Sequence, residues 1–400
     1  MRIVQKYGGT SVGTIERIQN IARHLTKLKK EGNDLVVVVS AMGKMTDELI
    51  AKAKALNPNP NRRELDRLMS TGEQQSIALL TIALHAEGID AISLTGLQAG
   101  IATEGIHTKA KIKDISADRI ESHLAEGKVV IVAGFQGYNK DGDVTTLGRG
   151  GSDTSAVALA AALKCRCEIY TDVDGIYTVD PRAYAPAKKL DNISYEEMME
   201  MSNLGAGVME VRAVELGKKY GVEIYVARSL GTVPGTFIKE RDENMEAKVI
   251  TGLSINDNIL MVGIKNIPNN PQDVALIFEE LGKAHVNVDM ISQSLLGKEI
   301  LDLSFTCPLT EEDLFDNAIE VIKEKLSQIE VTKKSTLIKI SLVGIGMMSH
   351  SGVAATVFQA FAKEDIRFYQ VTTSEISISY TIDKENREKA VNALAKEFNL

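Results

Sequence analysis

Cysteine is scarce. Cys165, Cys167 and Cys307 are an odd, scattered set in a chain of 400 residues. That excludes a disulfide framework, and Cys-x-Cys alone is no zinc site, so the three read as small buried hydrophobes of a reducing compartment. No run of about 18 apolar residues occurs, so no membrane span is expected. Met1-Arg2-Ile3-Val4-Gln5-Lys6 runs directly into a strand with no secretory pattern, and the expected location is the cytoplasm. An excess of basic charge is also missing. With 46 Lys and Arg against 54 Asp and Glu, the net charge is −8, which argues against nucleic-acid binding driven by global charge. Neither the P-loop spacing GxxxxGK[ST] nor the dinucleotide fingerprint GxGxxG is present, so any nucleotide is held in another way.

Hydrophobic residues at 44% and charged residues at 25% suffice for a sizeable core in a soluble chain, and the length suits two to four domains. Strand and helix patterns alternate through the first two-thirds. Arg2 to Tyr7 reads as a strand, and Ile15, Ile18, Ile21, Ala22, Leu25 and Leu28 recur at helical spacing. The unbroken apolar run Leu35 to Val39 reads as a strand buried on both faces. The alternation resumes with the helix Ser76–Leu84, the strand Val129–Phe135, the helix Ser152–Leu163 and the strand Glu168–Val173. An α/β sandwich on a mainly parallel sheet is predicted, with ligands off the carboxyl ends of its strands.

Thr232-Val233-Pro234-Gly235-Thr236 and Glu240-Arg241-Asp242-Glu243-Asn244 mark a change of texture. An internal repeat follows. Val274 to Phe278 aligns with Ala354 to Phe358, and the same 80-residue step places Val286 on Ile366, Ile291 on Val371 and Ser294 on Ser374. Each copy reads strand, turn, helix, strand, strand, helix. Two small paired α+β domains fit this better than a solenoid.

Glycines gather where strands end, in Lys6-Tyr7-Gly8-Gly9-Thr10-Ser11, Ser40-Ala41-Met42-Gly43 and Gly148-Arg149-Gly150-Gly151-Ser152-Asp153. Glycine lets backbone amides approach phosphate oxygens, and a helix N-terminus adds positive partial charge. Three such loops in one α/β domain point to a polyphosphate site.

These segments resemble signatures of the aspartate kinases, within the amino-acid kinase fold. The resemblance runs through Lys6 to Ser11, Ser40 to Gly43, Thr46-Asp47-Glu48-Leu49 and Ser70-Thr71-Gly72-Glu73. It continues through Gly134-Phe135-Gln136-Gly137, Thr145 to Thr154, Thr171-Asp172-Val173-Asp174-Gly175-Ile176-Tyr177 and Asp180-Pro181-Arg182. The C-terminal repeat resembles that family's tandem ACT regulatory domains. The implied organisation is a catalytic domain over 1–240 and ACT domains, each a βαββα unit, over 255–330 and 335–400. The implied reaction is phosphorylation of the β-carboxylate of L-aspartate by ATP with Mg²⁺, the first step toward lysine, threonine and methionine.

The resemblance also implies roles. Lys6 and Asp153 are the catalytic pair, the ammonium to neutralise the transferring phosphoryl group and the carboxylate to orient it. Gly8, Gly9, Ser40, Gly43, Thr171, Asp172, Tyr177 and Arg182 fall in the ATP site, although Asp172 and Asp174 could instead tie down a loop. Arg149 and Glu73 are assigned to the α-carboxylate and ammonium of aspartate, with Thr46, Gly150 and Ser152 beside them. Many relatives place a lysine where this chain has Gly207, and Arg182 and Arg212 are the cations available to replace it. No protein-held metal is expected. Two alternatives stay open: another amino-acid kinase acting on glutamate or a nucleotide monophosphate, and a non-catalytic amino-acid sensor with a degenerate kinase domain.

In the repeat, Val286 to Ile291 and Val371 to Ile376 resemble the segments that frame amino-acid effectors in ACT pairs. Asp289, Met290, Ile291, Gln293, Thr373, Ser374 and Glu375 are the expected effector contacts. Gln272 replaces the usual loop glycine, and Tyr369 is the counterpart of Asp289, so two equivalent effector sites are not expected. Lysine, threonine or both are the expected inhibitors, acting through an ACT-mediated homodimer or higher homo-oligomer. Met245, just before the repeat, reads first as an ordinary linker methionine; the alternative, as in some relatives, is an internal start for a separate regulatory subunit.

Overall fold

The computed structural model describes residues 1–241 and 248–400, so Met245 lies outside the described residues. The chain forms two compact units. The first holds Met1–Tyr177 and Lys189–Asn203 and resumes at Gly207; the second takes Thr178–Lys188, Leu204–Ala206 and the chain from 248 onward.

The first unit has, in chain order, strands β1 (Arg2–Tyr7), β2 (Asp34–Val39), β3 (Ala91–Leu94), β4 (Ile101–Glu104), β5 (Lys111–Ile115) and β6 (Val129–Ala133). It continues with β7 (Gln136–Tyr138), β8 (Val144–Thr146), β9 (Arg166–Thr171), β10 (Asn192–Ser194), β11 (Ile224–Arg228) and β12 (Thr236–Lys239). Its helices are α1 (Ile15–Lys30), α2 (Met45–Leu56), α3 (Arg62–Met69), α4 (Thr71–Ala86), α5 (Asp118–Ala125), α6 (Gly151–Ala162), α7 (Tyr195–Met201) and α8 (Val211–Tyr220).

Eight of these strands form one sheet in the order β10-β12-β11-β9-β1-β2-β6-β3. Its pairings are parallel except that of β11 with β12. The apolar run in β2 lies at the centre, and Leu35 to Val39 have no exposed surface. Thr14 caps α1 by accepting from the Arg17 amide. Helix α1 then turns Ile18, Ile21, Ala22 and Leu25 onto Ile3, Tyr7, Leu35 and Val37, with Ile77, Leu80 and Leu84 of α4 in the same core. Helix α6 packs on the other face of β1, β2 and β9, and α8 packs beside it. Because α6 is enclosed, it carries apolar or small residues around most of its circumference, with Ala156 to Ala160 buried.

A second, small sheet with the order β5-β4-β7-β8 was not anticipated. Its strands are three to five residues long and polar, too short for alternation to register against turns. Asp66 of α3, fully buried, ties this sheet down. Its carboxylate accepts from the Thr108 amide and the Thr146 hydroxyl and meets His107 Nδ1 at 2.7 Å.

The second unit contains β13 (Gly252–Asn256), β14 (Leu260–Pro268), β15 (Asp289–Leu296), β16 (Ile300–Cys307), β17 (Glu330–Lys334), β18 (Leu337–Val343), β19 (Phe368–Thr373) and β20 (Ser377–Asp383). Its helices are α9 (Pro271–Lys283), α10 (Glu312–Lys325), α11 (Val353–Lys363) and α12 (Arg387–Glu397). The repeat read from the sequence is present as β14-α9-β15-β16-α10 and β18-α11-β19-β20-α12. His285 and Asp365, one repeat step apart, both take left-handed backbone after their helices, and Val286 and Ile366 are both buried.

Each copy gains a fourth antiparallel strand. β17 joins the sheet β15-β16-β14-β17, whereas β13, which precedes the first copy, joins β13-β18-β20-β19 in the second. Strand order in space is a pairing choice that local pattern does not encode. Val179 and Tyr184, from Thr178–Lys188, pack into the core of the second copy with Leu253, Ile340 and Phe361.

Phe305 has no exposed surface and packs against Phe278 and Phe315. Phe305→Ala is expected to destabilise the second unit by about 3–5 kcal/mol, read as a lower denaturant midpoint for that unit.

Candidate active site

The carboxyl ends of β1, β2 and β6 bring the glycine loops together, beside the point where the strand order reverses around β1. The Gly8 amide donates to Tyr170 O of β9, the Ser40 amide to Tyr7 O, and the Gly43 amide to Gly9 O. The contact is backbone to backbone. A β-carbon on Gly9 would lie 2.7 Å from Ala41 O, so only glycine fits there. Gly150, with φ 66°, supplies the left-handed start of α6, whose first residues, Gly151 to Asp153, border the same space.

A cleft of about 240 Å³ results, lined by Lys6, Gly9, Ser40, Gly43, Thr46, Glu73, Arg149, Gly150, Ser152 and Asp153 among others. Every residue predicted for aspartate binding, and both predicted catalytic residues, line this one cleft. Lys6 Nζ and Asp153 Oδ1 stand 2.6 Å apart, with side chains only 11% and 13% exposed. The pair bridges the end of β1 and the first turn of α6. Gly8 borders it, since a β-carbon there would stand 3.4 Å from Lys6 Nζ.

Glu73, in the first turn of α4, is 2% exposed. One carboxylate oxygen accepts from the Ala41 amide at 3.1 Å, and the other is buried with no hydrogen-bond partner among the described residues. Burial pushes its pKa up to about 7 against the pull of the backbone amides. An unpartnered carboxylate at the wall of a cleft is a receptor for a cation.

The other predicted nucleotide contacts separate. Thr171 ends β9, next to β1, and its hydroxyl donates to Asp172 at 3.1 Å. Tyr177 bridges to Lys189. Asp174 does tie down a loop, through an ion pair with Arg228 at 2.6 Å. Arg182 belongs to the second unit, where its guanidinium pairs with Asp180 at 2.8 Å. Gly207 has φ 63°, a left-handed conformation that disfavours the lysine of relatives. Arg212 does not turn into the cleft as a replacement cation; it donates to Leu147 O at 2.7 Å and Ala110 O at 3.1 Å.

Residues missed from the sequence also emerge. Ala41, Phe135, Gly148 and Gly151 line the cleft, and all lay inside the quoted motifs. Glu210 packs on Gly150, and its pKa is raised by burial and by the neighbouring Asp153 charge. No local signal joins Glu210 to a loop 60 positions earlier.

In the second unit, Asp289, Met290, Ile291 and Gln293 lie on β15, Thr373 ends β19, and Ser374 and Glu375 form the turn that follows. β15 lies against β19, with the Gln370 amide donating to Met290 O and Ser304 O. Asp289 is not idle: it pairs with the buried ammonium of Lys339. Tyr369 instead donates to Asp383 at 2.7 Å under the Lys334 ammonium. The two copies therefore differ chemically at matched positions.

Residues 1–228 match the model of the Amino acid kinase family and residues 340–398 that of the ACT domain. Over its full length the chain is 48% identical to the aspartokinase of Geobacillus stearothermophilus and 46% identical to aspartokinase 2 of Bacillus subtilis strain 168, spanning 97% and 98% of those proteins. The chain belongs to the aspartokinase family. The fold agrees. E. coli aspartokinase III, solved with aspartate and ADP, superposes over the whole of both chains with a TM-score of 0.82 at 24% identity. Aspartate kinase from Synechocystis is 40% identical, with a TM-score of 0.57, and this chain spans 69% of it. As an aspartokinase, the protein is an ATP-dependent kinase of aspartate, and the other-kinase and non-catalytic alternatives fall. Among the described residues no helix is long and apolar enough to cross a membrane.

A carboxylate accepts an ammonium only when ionised, and the raised pKa of Glu73 leaves it protonated below about 7. With Glu73 as the expected ammonium site, the KM for aspartate should rise about tenfold from pH 8 to pH 6. Glu73→Gln should raise KM at pH 8 and flatten this dependence; initial-rate profiles against pH check both.

Proposed function

We propose that the cleft transfers the γ-phosphoryl group of MgATP to the β-carboxylate of L-aspartate, giving β-aspartyl phosphate and ADP. The observation that carries this reading is the desolvated Lys6–Asp153 pair between two glycine loops and a helix N-terminus, with Arg149 and the half-satisfied Glu73 on the same wall. Phosphoryl transfer accumulates charge on equatorial oxygens, so catalysis is mainly placement and electrostatics. Lys6 neutralises that charge from the end of β1. Asp153 holds the ammonium in place, while the Gly9 amide and the N-terminal end of α6 face phosphate oxygens. Arg149 receives the α-carboxylate of aspartate as a fork, Glu73 its ammonium, and Thr46 and Ser152 add hydroxyls. Two charged anchors on the α-carbon leave the β-carboxylate as the free end.

Thr171, Asp172 and Tyr177 take the nucleoside end of ATP, with Ser40 and Gly43 near the phosphates. Both acidic groups lining the cleft have other partners, Asp153 the Lys6 ammonium and Glu73 the proposed ammonium site, so Mg²⁺ would arrive on ATP rather than sit in a protein cage. Phosphate oxygens and water would be most of its ligands.

The second unit is the proposed switch, with lysine or threonine as effector at the β15 and β19 segments and the pathway to those amino acids as its setting. β15 supports a homodimer or higher homo-oligomer: it is an edge strand with Ile291, Leu295 and Leu296 more than half exposed. An internal start at Met245 and a cytoplasmic location complete the reading.

Hydroxylamine trapping should capture an acyl phosphate from aspartate and MgATP. Lys6→Ala is expected to lower kcat at least about a hundredfold while leaving the far-UV spectrum and effector binding intact. No trapped product from the wild type would overturn the catalytic reading. Turnover unchanged by millimolar lysine and threonine, singly or together, would overturn the regulatory one.

A further inference from the structure

Arg149 stands between two glycines in left-handed backbone, Gly148 with φ 82° and Gly150 with φ 66°. The Gly151 amide closes this turn on Gly148 O at 3.0 Å, so the turn has a local shape of its own. Where the turn as a whole is held, and so where Arg149 projects, is decided by its attachments to the rest of the unit. Before the turn, the Leu147 amide donates to Phe135 O at 2.9 Å, and Thr146 O accepts from the Ala110 amide at 3.0 Å. The remaining acceptor, Leu147 O, is taken by Arg212. The same guanidinium donates to Ala110 O, so one planar fork clamps the 147 loop to the strand start at 110. At the far side of the turn, Glu210 packs on Gly150 from the same end of α8.

We propose that Arg212 is a positioning residue for aspartate recognition: it touches neither substrate nor nucleotide, and it sets where Arg149 points. This deepens the reading that Arg149 receives the α-carboxylate of aspartate, and it rests on it. A cation is needed because the fork spends its charge on two carbonyls whose dipoles converge. Lysine, a point donor on a flexible stem, can serve one carbonyl at a time. The effect is selective. The 147–150 loop carries Arg149, the proposed contact of the α-carboxylate, whereas the Lys6–Gly9 and Ser40–Gly43 loops, proposed to serve phosphate, follow β1 and β2 and do not touch Arg212.

The test is a double-mutant cycle on Arg149 and Arg212, with the KM for aspartate and for ATP measured separately. Arg212→Ala is expected to raise the aspartate KM about tenfold or more, since misplacement of a binding group by about 1 Å can cost a hundredfold. The ATP KM should stay within about twofold, and Arg212→Lys should fall between wild type and alanine. In an Arg149→Ala background the Arg212→Ala effect on the aspartate KM should vanish, because the residue it aims is gone. Additive effects, or equal rises in both KM values, would mean that Arg212 acts only as general support, and would overturn the inference. If Arg149→Ala alone leaves the aspartate KM unchanged, the assignment of Arg149 itself is wrong, and the inference falls with it. Circular dichroism on each variant separates loss of aim from loss of fold.

Discussion

The Lys6–Asp153 ion pair is the constraint on which the catalytic unit is organised. Two opposite charges, each nearly out of water, are tolerable only when held at contact distance with little freedom. That requires β1 at the centre of the sheet, where neighbours on both sides fix its end, and α6 directly against it. It also requires an enclosed α6, which explains a helix of alanine, valine and leucine with few polar positions beyond its first turn. The glycine loops follow from the same demand. Their backbones approach each other too closely for a β-carbon at Gly9.

Around this fixed pair the groups proposed to bind aspartate are mounted differently. Glu73 is set by a helix start and one backbone amide, and its second oxygen has no hydrogen-bond partner among the described residues. Arg149 sits in a turn between two left-handed glycines. Rigid phosphate loops beside an aimed substrate loop suit a kinase that must bind one polyphosphate in one place while reading the charges of a small amino acid.

Much of this is legible in the amino-acid sequence. The apolar run Leu35 to Val39 could only be a central strand, the Ile15 to Leu28 spacing could only be an amphipathic helix, and the repeat placed two βαββα copies correctly. The glycine motifs placed the cleft, because glycine after a parallel strand is used where backbone meets ligand or backbone. Helix limits moved by a few residues, as in the fourth helix, which begins at Thr71 rather than Ser76 and so carries Glu73 in its first turn. Short polar strands β4, β5, β7 and β8 left no periodicity long enough to read. Arg212 looked available as a phosphate cation, and the structure gave it two carbonyls instead.

The sequence by itself determined what depends on neighbours along the chain: periodicity, glycine placement, the repeat, and the chemical identity of each charged group in the cleft. Only the tertiary structure decided what depends on neighbours in space. It chose β13 rather than a strand of the first copy to complete the second ACT sheet. It counted Thr178–Lys188, with Arg182, in the second unit. It raised the pKa of Glu73 by burial, and it turned Arg212 toward Leu147 and Ala110. The physical reason is common to all four. Strand pairing, desolvation and hydrogen-bond partnership are set by distances between residues far apart in the chain, and local pattern carries no information about those distances.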